Sequence, residues 1–493
     1  MVYGYRATLI SIRGRFVKYL MGFLDTNTQR GFLAIVGCLL VDSSVGEYNL
    51  LALLYPYFGS YFHYKNSKIS TDDTPIIGAI WLMTQAFSGI IGVWINGYLG
   101  FKLTFFIMVL IFGIGQFLAS YIENFYIFIF AYAIPGGFAQ GALIILPLYC
   151  AWRYFSPVHK GKISGIILSA YALAPIISSV AASRIINPSD VDVVKIDGKN
   201  YFPKEIADNV PRFIRSFATI CVSIGLFGIV LILEPFARGN RASSANSTVE
   251  QSDISDTNKE KLVYDTEGES EGEKPVQTLQ PNIPKLSMKD LVDNFQDKNF
   301  WCLSACMFIG YTYCHFVNYS FKKIGLDHLE KADAFINIAA SIAAIFNALA
   351  RPLVAFIFEK YGFLTCAFGI MVMQIISALT FVWAADHKVT YTISLCFYFM
   401  TYGGQLGLYP LVCEALYSKK GALVYTCSFS GFCFSALIVA FTYKPLIERM
   451  DESNVYYFLA CLPPLSAYFI WNTNKRLEYI RRKAVYFGSG INA

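Results

Sequence analysis

The sequence predicts an all-α integral membrane protein, with twelve transmembrane helices arranged as two six-helix pseudo-repeats. Three observations predict it. Of 493 residues only 15% are charged, while 55% are apolar and 16% aromatic; soluble globular chains average about 25% charged. Twelve segments are long and apolar enough to cross a bilayer, which takes about 20 mostly apolar residues. A polar stretch at 237–298 divides those segments six and six.

The first segment of the chain, 1–31, is basic, with four cations and no acid before residue 25. It is read as a cytosolic juxtamembrane helix on anionic lipid, or alternatively as an Arg-rich targeting segment. The N-terminal bundle, 32–236, holds spans at about 33–58, 76–97, 103–121, 125–151, 162–184 and 214–236. The C-terminal bundle, 299–473, holds spans at about 300–321, 334–358, 363–385, 390–416, 422–444 and 455–472. Within a bilayer each backbone N–H must bond inside its own helix, so these are helices despite their Phe, Tyr and Ile content. The linker 237–298 is Ser-, Glu- and Lys-rich and too polar to bury a core, so disorder is expected there. A basic tail, 474–493, ends the chain.

The two halves carry matching landmarks. Gly100-Phe101 pairs with Gly362-Phe363, Lys160-Gly161 with Lys420-Gly421, and Pro147 with Pro410, all at nearly one offset. Such internal repeats are typical of transporter folds. An even number of spans puts both ends on one side, where 17 cations gather outside the linker. By the positive-inside rule that side, with the linker, is cytosolic; which membrane is involved stays open.

Composition also excludes. There is no basic stripe interleaved with exposed aromatics, so nucleic acid is not an expected partner. All 12 cysteines lie in apolar stretches, which reads as buried thiols rather than a disulfide framework. Cys302 and Cys306 share a helical face without an accompanying His or acid, so packing is expected rather than a metal. No catalytic triad or phosphate-binding glycine loop stands out, so no cofactor and no enzymatic activity are expected.

Polar residues at membrane depth are therefore the functional candidates. A charged side chain at the helix centre costs roughly 2.5–3.5 kcal/mol on insertion scales, and such residues usually face a cavity or a partner. Arg351 stands with Pro352 inside the eighth span. Either it snorkels to the interface, or it faces a water-filled cavity as a permanent anion site, because guanidinium does not deprotonate and matches a carboxylate with two parallel donors. Asn347, one turn earlier, is placed to orient it. Asp42 and Glu47 in the first span are candidate proton carriers, five residues apart and so about 140° apart on a helix. His315, Gln140 and Gln405 are further candidates for substrate contact, with interhelical hydrogen bonding as the plainer alternative.

At these residues the chain resembles the major facilitator superfamily. The stretch GVWINGYLGFK, 92–102, stands where that superfamily carries a Gly-rich loop of acid and base, with Asn96 in place of the acid. The partner loop FEKYGF keeps Glu359, Lys360 and Gly362. The resemblance implies a cytosolic gate at Asn96, Gly100, Glu359, Lys360 and Gly362. Residues 132–166 are similar to the monocarboxylate transporter and oxalate–formate antiporter branch, through Trp152, Phe155, Pro157, Lys160, Gly161 and Gly165. That branch has an acid and then Arg-Pro four residues on in the eighth helix, where this chain has Asn347, Arg351 and Pro352. The resemblance implies that Arg351 holds a substrate carboxylate. Two departures bear on coupling: Asn347 cannot carry a proton, and the first span has no lysine.

The expectation is a secondary active or facilitative transporter of small, monocarboxylate-like organic anions working by alternating access, with a co-transported proton as a candidate second partner. A transporter of amino acids or other neutral or zwitterionic solutes is the first alternative, and a non-transporting membrane sensor or scaffold the second.

Overall fold

The structure, a computed structural model, describes residues 28–155, 160–233, 295–329, 332–417 and 420–489. The basic segment before residue 28, the linker between 234 and 294, and Pro157 lie outside the described residues. Among the described residues, six helical stretches are long and apolar enough to cross a membrane by length and composition. Two of these turn back at a glycine and make two passes each, and the more polar helices complete the twelve-helix architecture.

The first span is two helices, α1 (Thr28–Ser44) and α2 (Tyr48–Lys65). The break has a local cause. Ser44 Oγ donates back to the Val41 carbonyl at 2.7 Å, and such back-bonding competes with the helix ladder. Val45 and Gly46 then close tight turns onto the carbonyls of Asp42 and Ser43. Asp42 therefore ends one helix, while Glu47 precedes the next.

Helix α3 (Pro75–Ala119) supplies spans two and three. Helices α4 (Phe125–Leu143) and α5 (Leu146–Trp152) make span four, and α6 (Lys160–Ile186) makes span five. The connection to span six is an antiparallel hairpin, β1 (Val194–Ile196) with β2 (Lys199–Tyr201), then a short helix α7 (Lys204–Ala207). Span six is α8 (Val210–Leu231). In the second half, α9 (Lys298–His328) is span seven and α10 (Asp333–Ala384) spans eight and nine. Asp297, assigned to the linker by composition, caps α9 by accepting the Asn299 N–H at 2.9 Å. Helices α11 (Lys388–Tyr417) and α12 (Gly421–Arg449) follow. The twelfth span is α13 (Glu452–Ala460), α14 (Leu462–Leu465) and α15 (Ala467–Ser489).

The two reversals rest on backbone chemistry. Gly100 has φ 73° and ψ 168°, and Gly362 has φ 84° and ψ 178°, a region open almost only to glycine. A Cβ added at Gly100 meets nothing within 4 Å, so any penalty there is backbone strain alone. Gly100→Ala is expected to lower stability by about 1–3 kcal/mol. Gly97→Ala, at a helical position also open for 4 Å, is expected to raise it by up to about 1 kcal/mol. Thermal unfolding in detergent reads both, and the opposite signs are the check.

Packing repeats between the halves. A Cβ on Gly137 of α4 would lie 2.2 Å from the Trp81 carbonyl oxygen, and one on Gly141 would lie 2.3 Å from that of Gln85. In the second half a Cβ on Gly403 of α11 would lie 2.2 Å from the Asn347 carbonyl oxygen, and one on Gly407 would lie 2.9 Å from the Arg351 Cα. Glycines four apart bring two helix backbones into direct contact. The repeated contact makes Asn347 and Arg351 the counterparts of Trp81 and Gln85.

Candidate functional site

The glycine contact sets where Arg351 sits. Helix α11 backs the eighth span at Gly403 and Gly407, so the Arg351 backbone is pressed against protein rather than lipid. The residue is 9% exposed. Its Nη2 donates to Asn347 Oδ1 at 3.5 Å, one helical turn away, so Asn347 serves as an orienting group.

Across from it stands the other half of the molecule. Asp42 is buried at the end of α1, and the Arg351 charge acts on its carboxyl. The same charge reaches the phenol of Tyr425 on α12. Arg351 and Asn347 are thus joined on one helix, and Asp42 of the first half and Tyr425 of α12 lie within reach of the guanidinium charge.

Glu47 takes a different direction. Its Oε1 accepts the Tyr132 hydroxyl from α4 at 2.5 Å, and its charge bears on Cys221 of α8. It therefore points into the N-terminal bundle. The helix break between them separates two acids that lie only five residues apart.

His315 is fully buried on α9. Its Nδ1 lies 3.5 Å from the Tyr48 hydroxyl of α2, and its Nε2 lies 3.1 Å from the Phe432 carbonyl of α12. Both ring nitrogens are engaged, and the ring bridges the halves. Gln140 accepts the Trp81 indole N–H from the second span. Gln405 Nε2 donates to the Gly310 carbonyl at 3.3 Å, an oxygen that Gln374 also bonds at 2.9 Å. These two glutamines join helices within their own bundles, and Gln405 Oε1 stays buried without a hydrogen bond.

The reversal residues form a separate place in the fold. Asn96 is buried with its Oδ1 unbonded, whereas Glu359 and Lys360 are exposed. The Lys360 ammonium lies 5.1 Å from the Tyr361 ring centroid. A Cβ on Gly362 would approach Arg481 of α15 at 3.5 Å. The structure thus joins Arg351 with Asn347 and puts Asp42 within reach of the guanidinium charge, while Glu47 and the two glutamines bond elsewhere. Sequence reasoning missed Tyr425, Tyr48 and Tyr132. Among 33 tyrosines and 42 phenylalanines, no single ring stands out before its neighbours are known.

Residues 36–440 match the family model described as the Major Facilitator Superfamily. Among solved structures, the nucleoside transporter NupG aligns with a TM-score of 0.61 at 13% identity, over 91% of this chain and 99% of that one. The D-xylose-proton symporter aligns with a TM-score of 0.61 at 12% identity, over 91% and 98%. The xylose transporter XylE from E. coli, in its inward-open conformation, aligns with a TM-score of 0.61 at 13% identity, over 92% and 98%. At such identities the likeness speaks for the fold. No curated protein matches the chain.

Proposed function

The chain belongs to the major facilitator superfamily, and from that premise we propose that it carries a small organic anion of monocarboxylate type across its membrane by alternating access. A transporter, rather than an enzyme, is what the family and fold support; the anion is our reading of the site. One observation carries it: a buried guanidinium in the eighth span, oriented by Asn347 at 3.5 Å, whose charge reaches Asp42 of the first half. Such a group offers a carboxylate two parallel charge-assisted hydrogen bonds, in a place where water competes weakly. Asp42 carries any coupled proton, since neutralising it frees Arg351 for an anion. Glu47, bonded to Tyr132, is the second candidate carrier. The chain ends and the polar linker between the bundles are placed in the cytosol by the cation bias.

A second reading is favoured by the same acid. Asp42 lies within reach of the Arg351 charge, so the two also suit a zwitterion that places a carboxylate on one and an ammonium on the other. Uptake of labelled lactate, formate, oxalate and amino acids into proteoliposomes distinguishes the two. Arg351→Ala is expected to reduce carboxylate uptake ten- to a hundredfold, the scale of about 1.5–3 kcal/mol for hydrogen bonds to a charged group. Arg351→Lys, which keeps the charge without the fork, should recover only part of it. Equal uptake by wild type and Arg351→Ala would remove Arg351 from the mechanism.

A further inference from the structure

Opposite the chain ends, the two bundles are joined by charged side chains that the site above does not use. Lys322 of α9 and Asp333 of α10 pair at 2.8 Å, with side chains 1% and 2% exposed. Both belong to the second half. Asp333 Oδ2 also accepts from two groups of the first half, the Tyr57 hydroxyl at 2.5 Å and Asn187 Nδ2 at 2.9 Å. The Lys322 ammonium sits 4.0 Å from the Tyr57 ring centroid.

Asp72 shows the same arrangement from the other side. It belongs to the first half, where Lys199 of β2 pairs with it at 2.8 Å, and Lys323 of the second half reaches it at 2.7 Å. Asp73 repeats it: its own-half donors are the Ser70 N–H and hydroxyl at 2.8 and 2.9 Å, and its cross-half partner is Lys444 at 2.7 Å. Each of the three acids thus holds at least one partner on its own half and at least one on the other.

The arrangement has a physical consequence. Breaking a buried ion pair is costly chiefly because it leaves a charge in the interior with no partner. Here separation of the halves removes the cross-half bonds and leaves every acid with a partner of its own half. The released lysines, Lys323 and Lys444, are 19% and 33% exposed already and meet entering water. We infer that Asp333, Asp72 and Asp73 form a releasable latch, which holds this face shut in the state described and opens without stranding a buried charge. The hairpin is one arm of it, since Lys199 also lies 3.8 Å from Glu448 and Asn200 donates to Asp327 at 2.6 Å, both in the second half. The inference holds whichever solute is carried.

The test needs no solute. Ser179 and Ser341 face each other across the bundles, with hydroxyls 2.8 Å apart, and Ser179 is 1% exposed. Ser179→Cys is introduced with Cys461→Ser, because Cys461 is the exposed native cysteine. Labelling by a membrane-impermeant maleimide from the face opposite the chain ends then measures opening, with Cys461→Ser alone as the blank. Tyr57→Phe and Lys323→Gln each remove a cross-half bond to a charged group and should each raise the labelling rate about tenfold. Ser70→Ala removes an own-half hydroxyl donor of Asp73 and should not raise it. Oxidative cross-linking of Ser179→Cys with Ser341→Cys gives the same comparison with the opposite sign, slower in Tyr57→Phe and Lys323→Gln. Unchanged rates in both of those variants, an equal rise in Ser70→Ala, or a rise only in variants that also melt earlier would overturn the latch.

Discussion

Gly141→Val is expected to leave almost no folded protein in the membrane. Helix α4 lies against the second span so closely that a Cβ at Gly141 would stand 2.0 Å from Ser88 Oγ and 2.3 Å from the Gln85 carbonyl oxygen. The serine hydroxyl can rotate away, but the carbonyl is part of a helix backbone and cannot. The two helices must therefore separate, and the Trp81 N–H to Gln140 bond between them is lost. Overpacking usually costs about 1–3 kcal/mol, and a backbone clash of this depth belongs at or above the top of that range. Gly89→Ala is the matched control, because its nearest contact would be 3.4 Å, an ordinary van der Waals distance. Size-exclusion elution of detergent-solubilised fluorescent fusions reads both. A monodisperse Gly141→Val peak as high as that of wild type would contradict the close contact.

Lys322→Met is expected to be the most destabilising change among the charged residues. It leaves Asp333 buried with only the Tyr57 and Asn187 donors. Removing one member of a buried pair costs about 3–5 kcal/mol, much of it the penalty of the charge left behind. Asp333→Asn added to Lys322→Met removes that charge while keeping a group that can accept from Tyr57. The double variant should therefore be more stable than Lys322→Met alone, and thermal unfolding of the four proteins of the cycle measures the coupling. Additive losses would show that the two side chains do not act as a pair.

Much of the fold is legible in the sequence because a bilayer leaves few solutions. Apolar length alone locates the spans, and Gly100 and Gly362 mark the two tight reversals. The linker boundary was harder to read. Asp297 looks like linker by composition, yet it is a helix cap, and capping depends on one side-chain oxygen reaching the Asn299 N–H. The break inside the first span was not legible either, since Ser43, Ser44 and Gly46 are all tolerated within membrane helices. The break becomes visible only when Ser44 is seen bonding back to Val41.

The candidate site divides in the same way. Arg351 draws attention in sequence because a fixed charge at membrane depth demands a reason. Which acid lies within reach of its charge, Asp42 or Glu47, depends on which way each side of a broken helix turns. The charged residues Asp72, Asp73, Lys322 and Asp333 all fall just outside the spans located by apolar length, so membrane depth does not single them out. Helix α9, however, runs on to His328, which carries Lys322 into the interface instead of out of it.

By itself the sequence determined the membrane class, the six-and-six division and the presence of one permanent cation inside the eighth span, since hydrophobic length and the price of buried charge are local properties of the chain. Only the tertiary structure decided which acid lies within reach of that cation, which glycines bring helices into contact and which lysines tie the halves together. Those facts arise from backbone approach and side-chain direction between segments hundreds of residues apart, and no local pattern encodes them.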